Sequence, residues 1–175
     1  MEKTNKTPNP LLGNWETPHK IAPFDIINDE HFEPALAIAC SEALREIDEI
    51  ISNNDEPTFE NTIEALLKKG RLLDQVVSTF YTVTGAHTNE KRDQLLSVFS
   101  AKLSDYNKKI YSNSELFKRI AKVVDTKKLQ SLNKEQVRVL MLIHRNFVRS
   151  GAALTGENKA RFQSISKKLA EIGTK

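Results

Sequence analysis

Few side chains in this 175-residue sequence could carry covalent or metal chemistry: His19, His31, His87 and His144, the single thiol of Cys40, and the neighbouring carboxylates Glu60 and Glu64. A zinc-binding helix sets two histidines four residues apart on one face, and none of these four is followed by another at that spacing. One cysteine excludes a Cys-x-x-Cys pair, and neither a Gly-x-x-x-x-Gly-Lys-Ser/Thr phosphate loop nor a Gly-x-Ser-x-Gly elbow occurs. His144, among Val137, Leu140, Met141 and Val148, reads as a half-buried histidine with one hydrogen-bonded partner. His87 lies in the turn Gly85-Ala86-His87-Thr88-Asn89. Loop residues carry function more often than residues on a helix face, so it has the better claim to a role; otherwise it caps or turns the chain. Glu60 and Glu64 form a like-charge pair one helical turn apart. Acid–base catalysis needs two environments that split the pKa values, and helix capping accounts for Glu60 and Asn61 more simply. No catalytic, cofactor-binding or metal-binding residue is assigned to this chain.

The elements that position these groups are helical. Pro57 keeps Glu56 extended, Thr58 can cap with its hydroxyl, and Glu60 complements the positive end of the helix dipole. Phe59, Ile63, Leu66, Gly70, Leu73, Val77, Phe80 and Thr84 then recur at steps of four and three, one helical face. Leu72, Val76 and Val83 add a second face. A helix apolar around most of its circumference is a buried one, so Thr58 to about Val83 is predicted as the central helix. Gly70 inside it costs roughly 1 kcal/mol against Ala, which close approach of another helix explains better than a hinge.

Before it, an extended arm carries Leu11, Leu12, Trp15, Ile21, Phe24 and Ile26, held open by Pro18 and Pro23 and expected to bury those side chains. Asn28 or Asp29 caps a helix to about Ser52 with the stripe Leu36, Cys40, Ala43, Ile47 and Ile50. A short polar turn links it to the central helix as an αα-hairpin. Gly85 suits the left-handed position closing the central helix. Thr88 or Asn89 caps the next helix, to Tyr111, with the stripe Leu95, Phe99, Leu103, Tyr106 and Ile110. Ser114 caps a shorter one that buries Leu116, Phe117, Ile120 and Val124. Asn133 caps another, to Ser150. After a break at Gly151, Thr155 caps the last, with Phe162, Ile165, Leu169 and Ile172. No alternating segment or tight hairpin signal is present. The fold class is all-α: about six mostly long helices in a layered antiparallel bundle, preceded by an extended arm. The division is 1–27 for the arm packed on the body and 28–175 for the helical domain.

Composition agrees. Charged residues are 28% and apolar residues 39% of the chain, ordinary for a globular protein. Twenty-six Lys and Arg against 23 Asp and Glu leave +3, too little for a nucleic-acid footprint, so no nucleic-acid partner is expected. Cys40, on an apolar stripe, reads as a reduced thiol packed as a small hydrophobe. No signal peptide is visible, and the longest apolar run, Ala35 to Cys40, is far short of the roughly 20 residues of a membrane span. A cytoplasmic protein with no membrane partner is expected.

Several stretches together carry a resemblance. Asn9-Pro10-Leu11-Leu12 with Trp15, Pro23-Phe24, His31-Phe32-Glu33-Pro34-Ala35-Leu36, and Pro57-Thr58-Phe59-Glu60-Asn61-Thr62-Ile63 resemble the start of the thimet-oligopeptidase-like family of zinc metallopeptidases. Thr84-Gly85-Ala86-His87-Thr88-Asn89 and Phe147-Val148-Arg149-Ser150-Gly151-Ala152-Ala153-Leu154 look like its bacterial peptidyl-dipeptidase (dipeptidyl carboxypeptidase) branch. The motifs fall in the right order from about Asn9 to Thr174. The resemblance implies an almost wholly helical enzyme whose two halves flank a deep channel. Zinc sits in the C-terminal half on a His-Glu-x-x-His helix with a further Glu ligand, and the motif Glu activates a zinc-bound water. The N-terminal half walls and lids the channel. The His-Glu-x-x-His motif is absent here, so no catalytic or metal residue carries over.

The resemblance therefore implies a non-catalytic N-terminal part, inactive alone and binding no cofactor itself, with zinc belonging to the complete enzyme. The implied partners are the missing C-terminal catalytic half, oligopeptide substrates of the complete enzyme, and a second copy through the exposed docking face. The alternative is a stand-alone helical scaffold or interaction module from a truncated reading frame.

Overall fold

The structure, a computed structural model, describes residues 8–125, 129 and 131–173. Among them there is no strand, and the fold is an all-α bundle. The helices are α1 (Asp29–Ser52), α2 (Ala65–Lys68), α3 (Arg71–Ala86), α4 (Glu90–Tyr111), α5 (Ser114–Asp125), α6 (Lys134–Arg149) and α7 (Gly156–Gly173), with a wide π-helical turn, Phe59–Glu64, leading into α2. The chain divides into two compact units, residues 1–49 with 68–107 and residues 50–67 with 108–175.

The first unit is built around three rings, one from each of its long helices. Phe80 of α3 stacks on Phe99 of α4 with centroids 3.8 Å apart, and Phe32 of α1 meets both edge-on at 5.1 and 6.4 Å. All three are at most 1% exposed. Such pairings add about 0.5–1.5 kcal/mol each beyond the area they bury. The small residues Ala35, Ala39 and Ala43 on the inner face of α1 are also buried. Cys40, expected on that stripe, is half-buried. The first part of the arm is fastened here. Leu11 is fully buried, the Gln75 amide donates to the carbonyls of Leu11 (2.9 Å) and Gly13 (3.2 Å), and Asn9 Nδ2 donates to the His31 carbonyl (2.8 Å). The later part differs from expectation. Ile21, Phe24 and Ile26 are 46–55% exposed, because beyond Trp15 the chain turns through Pro18–Lys20 with His19 and Lys20 both at positive φ.

The predicted central helix is two elements. Gly70 stands between α2 and α3 at φ 73°, the left-handed region that only glycine enters without steric cost. Its N–H, which in a continuing helix would bond to the Leu66 carbonyl, donates instead to Glu46 Oε2 at 2.6 Å. The phase of burial shifts across the break. Leu73, Val76, Thr79 and Phe80 face inward in α3, while Val77 is only half-buried. Gly85 is also not the helix stop. It lies inside α3, which ends at His87 in extended conformation, its N–H still bonded to the Val83 carbonyl at 2.9 Å.

The second unit packs α5 and α6 on the turn before α2. Phe59, Ile63, Leu116, Ile120, Leu140 and Phe147 are among its buried side chains. Val123, not Val124, is buried on α5. The local start signals hold. Thr58 and Asn61 form a reciprocal capping box, as do Asn133 and Gln136. Asn89 caps α4 by accepting the Arg92 N–H at 2.9 Å. At α5 the cap is Asn113 rather than Ser114: its Oδ1 accepts the N–H groups of both Glu115 and Leu116 at 3.0 Å. Gly151, at φ 81°, breaks the path to α7 as expected. Much of α7 is exposed.

Candidate functional site

The four histidines occupy four different settings. His31 is a structural group: its Nδ1 accepts the Asn28 N–H at 3.0 Å while its own N–H donates to the Asn28 carbonyl. It thus plays the part that Glu or Gln plays in a capping box, and the spacing Asn28-x-x-His31 was the sequence signal for it. His19 is exposed in the strained turn. His144 is half-buried, as expected, and is stacked on Phe117 at 5.4 Å.

His87 has the most eventful surroundings. The turn between α3 and α4 is clamped from α1. Asp29 Oδ1 accepts from Arg92 Nε at 2.8 Å, Asp29 Oδ2 accepts from Asn89 Nδ2 at 3.3 Å, and Arg92 Nη1 donates to the His87 carbonyl. The Asp29 and Arg92 side chains are only 16% and 19% exposed. Burial pushes the Asp29 carboxyl up. The hydrogen bonds from Arg92 and Asn89, with the positive charges of Arg92 and Lys91, outweigh that and hold it below the usual carboxylate range. Beside this clamp is a cavity of about 350 Å³ walled by Phe24, Ile27, Phe32 and Val83, with His87 and Arg92 supplying polar lining. The guanidinium is already neutralised by Asp29, and Thr82 adds a hydroxyl to an otherwise largely apolar lining.

A second polar cluster secures the helix break. Lys69 Nζ donates to the Tyr106 hydroxyl at 2.9 Å and lies 5.2 Å from the ring centroid, while Glu46 holds the Gly70 N–H. Burial pulls the Lys69 ammonium below the usual lysine range, against the opposing pull of Asp74 and Glu46. In the second unit, Arg119 reaches the carbonyls of Asn53 and Asp55 and the Oδ1 of Asn61, tying α5 to the turn that opens the capping box. Both clusters are structural ties. Glu60, on that turn, is exposed.

Among the described residues no three His, Cys, Asp or Glu side chains converge closely enough to hold a metal ion. These residues therefore do not fit the zinc that the family resemblance implies, and no chemical step is routed through a metal here. No described helix is long and apolar enough to cross a membrane.

Kinship to known proteins defines the class. No family model matches the chain. Over about 94% of its length, however, it has homologues among the peptidases of the thimet-oligopeptidase family, and it corresponds to an N-terminal segment of them. It is 37% identical over 164 residues to the dipeptidyl carboxypeptidase of Salmonella typhimurium and 36% identical over 166 residues to that of Escherichia coli, covering 94% and 95% of this chain. Oligopeptidase A of Escherichia coli is 24% identical over 165 residues. The chain spans about a quarter of the length of these curated relatives, 24% in each case.

Proposed function

We propose that this chain is the non-catalytic N-terminal helical part of a cytoplasmic zinc peptidyl-dipeptidase, an enzyme that removes dipeptides from the C-terminus of oligopeptides. The observation that carries the reading is the similarity to two dipeptidyl carboxypeptidases along nearly the whole chain, confined to a quarter of their length. In this reading zinc supplies the activated water and belongs to the C-terminal catalytic half. The present chain supplies a stiff helical wall and lid for the substrate channel, and admits short peptides while excluding folded ones. One feature favours a wall over a catalyst: the clamps at Asp29–Arg92 and Lys69–Tyr106 are consumed in holding helices and turns.

The test compares a separately expressed catalytic portion, with and without this chain, on a blocked pentapeptide and on a small folded protein. Addition of the chain is expected to raise turnover of the short peptide and suppress cleavage of the folded protein. Equal stimulation of both would remove the lid role.

A further inference from the structure

Among the described residues, α7 carries a row of exposed apolar side chains. Phe162, Ile165, Leu169 and Ile172 are spaced three, four and three, the a and d positions of a heptad seam. Phe162 is already engaged. Its ring stands over Gly151 so closely that a methyl group there would lie 2.8 Å from Cδ1. The helix is thereby anchored near its start and presents the rest of the seam outward: Ile165, Leu169 and Ile172 are 48%, 64% and 69% exposed. Three large aliphatic side chains exposed on one face of one helix mark an interaction surface, unlike singly scattered ones.

The seam also has an electrostatic edge. Arg161 and Lys168, seven residues apart, flank its same side and are exposed. Neither has an ion-pair partner among the described residues. At the positions flanking a helical seam, charges select the partner. We propose that this face of α7 receives an amphipathic helix whose apolar stripe is flanked by carboxylates, supplied by the part of the peptidase beyond the matched segment. The source rests on the function proposed above; the chemistry of the partner rests on α7 itself. A second copy of this chain fits worse. Antiparallel self-pairing sets the two cationic edges against each other, and parallel pairing sets them against Ser166. Neither supplies a carboxylate.

Two designed 21-residue helical peptides with identical Leu seams, one flanked by Glu and one by Lys, test the chemistry. The Glu-flanked peptide, fluorescently labelled, is expected to bind the chain at least about tenfold more tightly. Leu169→Lys abolishes its binding, and Arg161→Glu with Lys168→Glu reverses the preference. These positions are exposed, so circular dichroism should show unchanged folding. Equal binding of both peptides, binding of neither, or self-association of the chain lost in the Leu169→Lys variant would overturn the assignment. The source is tested by mixing with a catalytic portion. Leu169→Lys should raise the concentration of chain needed for half-maximal peptidase activity at least about tenfold. An unchanged requirement would overturn the docking face and spare the proposed function. No activity from any mixture would overturn the proposed function and the source, with the peptide result still deciding the chemistry of the face.

Discussion

Gly70→Ala separates two readings of the segment from Thr58 to Val83 by the sign of its effect. In a continuous helix, alanine stabilises by roughly 1 kcal/mol over glycine. At the observed φ of 73° an L-residue with a Cβ is instead disfavoured by about 1–2 kcal/mol. The surroundings add little, because a Cβ there would meet the Tyr106 hydroxyl at 3.6 Å and the Ala43 Cβ at 3.8 Å, ordinary contact distances. The expected cost is therefore the backbone cost alone, about 1–2 kcal/mol. At roughly 2–4 °C per kcal/mol for a chain of this size, the Tm should fall by roughly 2–8 °C. The assay is thermal unfolding followed at 222 nm for wild type, Gly70→Ala and Gly70→Asn. Asn tolerates the left-handed region better than Ala, so its Tm should fall between those of Ala and the wild type. A Tm raised by alanine would refute the break at Gly70 and restore the uninterrupted helix.

Asn61→Ala should cost about 1–2 kcal/mol in urea unfolding, because Asn61 Oδ1 accepts the Thr58 N–H at 2.8 Å and its Nδ2 donates to the Glu56 carbonyl at 2.9 Å. An effect under about 0.3 kcal/mol would remove the capping box as a stability element. Asp29→Asn should cost about 1 kcal/mol at pH 7. The folded carboxyl titrates below its ordinary value of 3.8, so the ionised form stabilises the fold. That contribution is full above about pH 4 and is lost as the pH falls through the lowered pKa, and a wild-type advantage that did not shrink as the pH was lowered from neutral into the acid range would contradict it. Gly151→Ala combines a φ of 81° with a 2.8 Å approach to Phe162. Hydrogen exchange of α7 should accelerate at least about tenfold while α3 and α4 are unchanged, and unchanged protection of α7 would show that Phe162 is not its anchor.

Local signals were the legible part of this fold. The caps at Thr58, Asn89 and Asn133 depend on hydrogen bonds within three residues, so residue type and spacing suffice to place them. Two members of the aromatic triad, Phe80 and Phe99, lay on stripes that periodicity exposes; Phe32 stands one turn before the stripe read on α1. Gly70 was ambiguous because the apolar spacing runs through it undisturbed. What decides its conformation is a carboxylate 24 positions earlier, Glu46, accepting its N–H, and no local pattern encodes that. The arm misled for a related reason. Leu11 is buried because Gln75 fixes the backbone around it, whereas Phe24 and Ile26 have no such tie. The site was legible chiefly as its lack of motifs. The clamp of Asp29 on the α3–α4 turn joins residues about 60 positions apart and had no signature in either segment alone.

The central claim is that this chain supports peptide hydrolysis without performing it. The most direct measurement is peptidase activity on a blocked oligopeptide with added zinc, first for the purified chain and then after mixing with a separately expressed catalytic portion. No turnover from the chain alone and zinc-dependent turnover on mixing, well above that of the catalytic portion by itself, is the expected result. Turnover by the chain alone, or a catalytic portion whose activity the chain does not change, would contradict it.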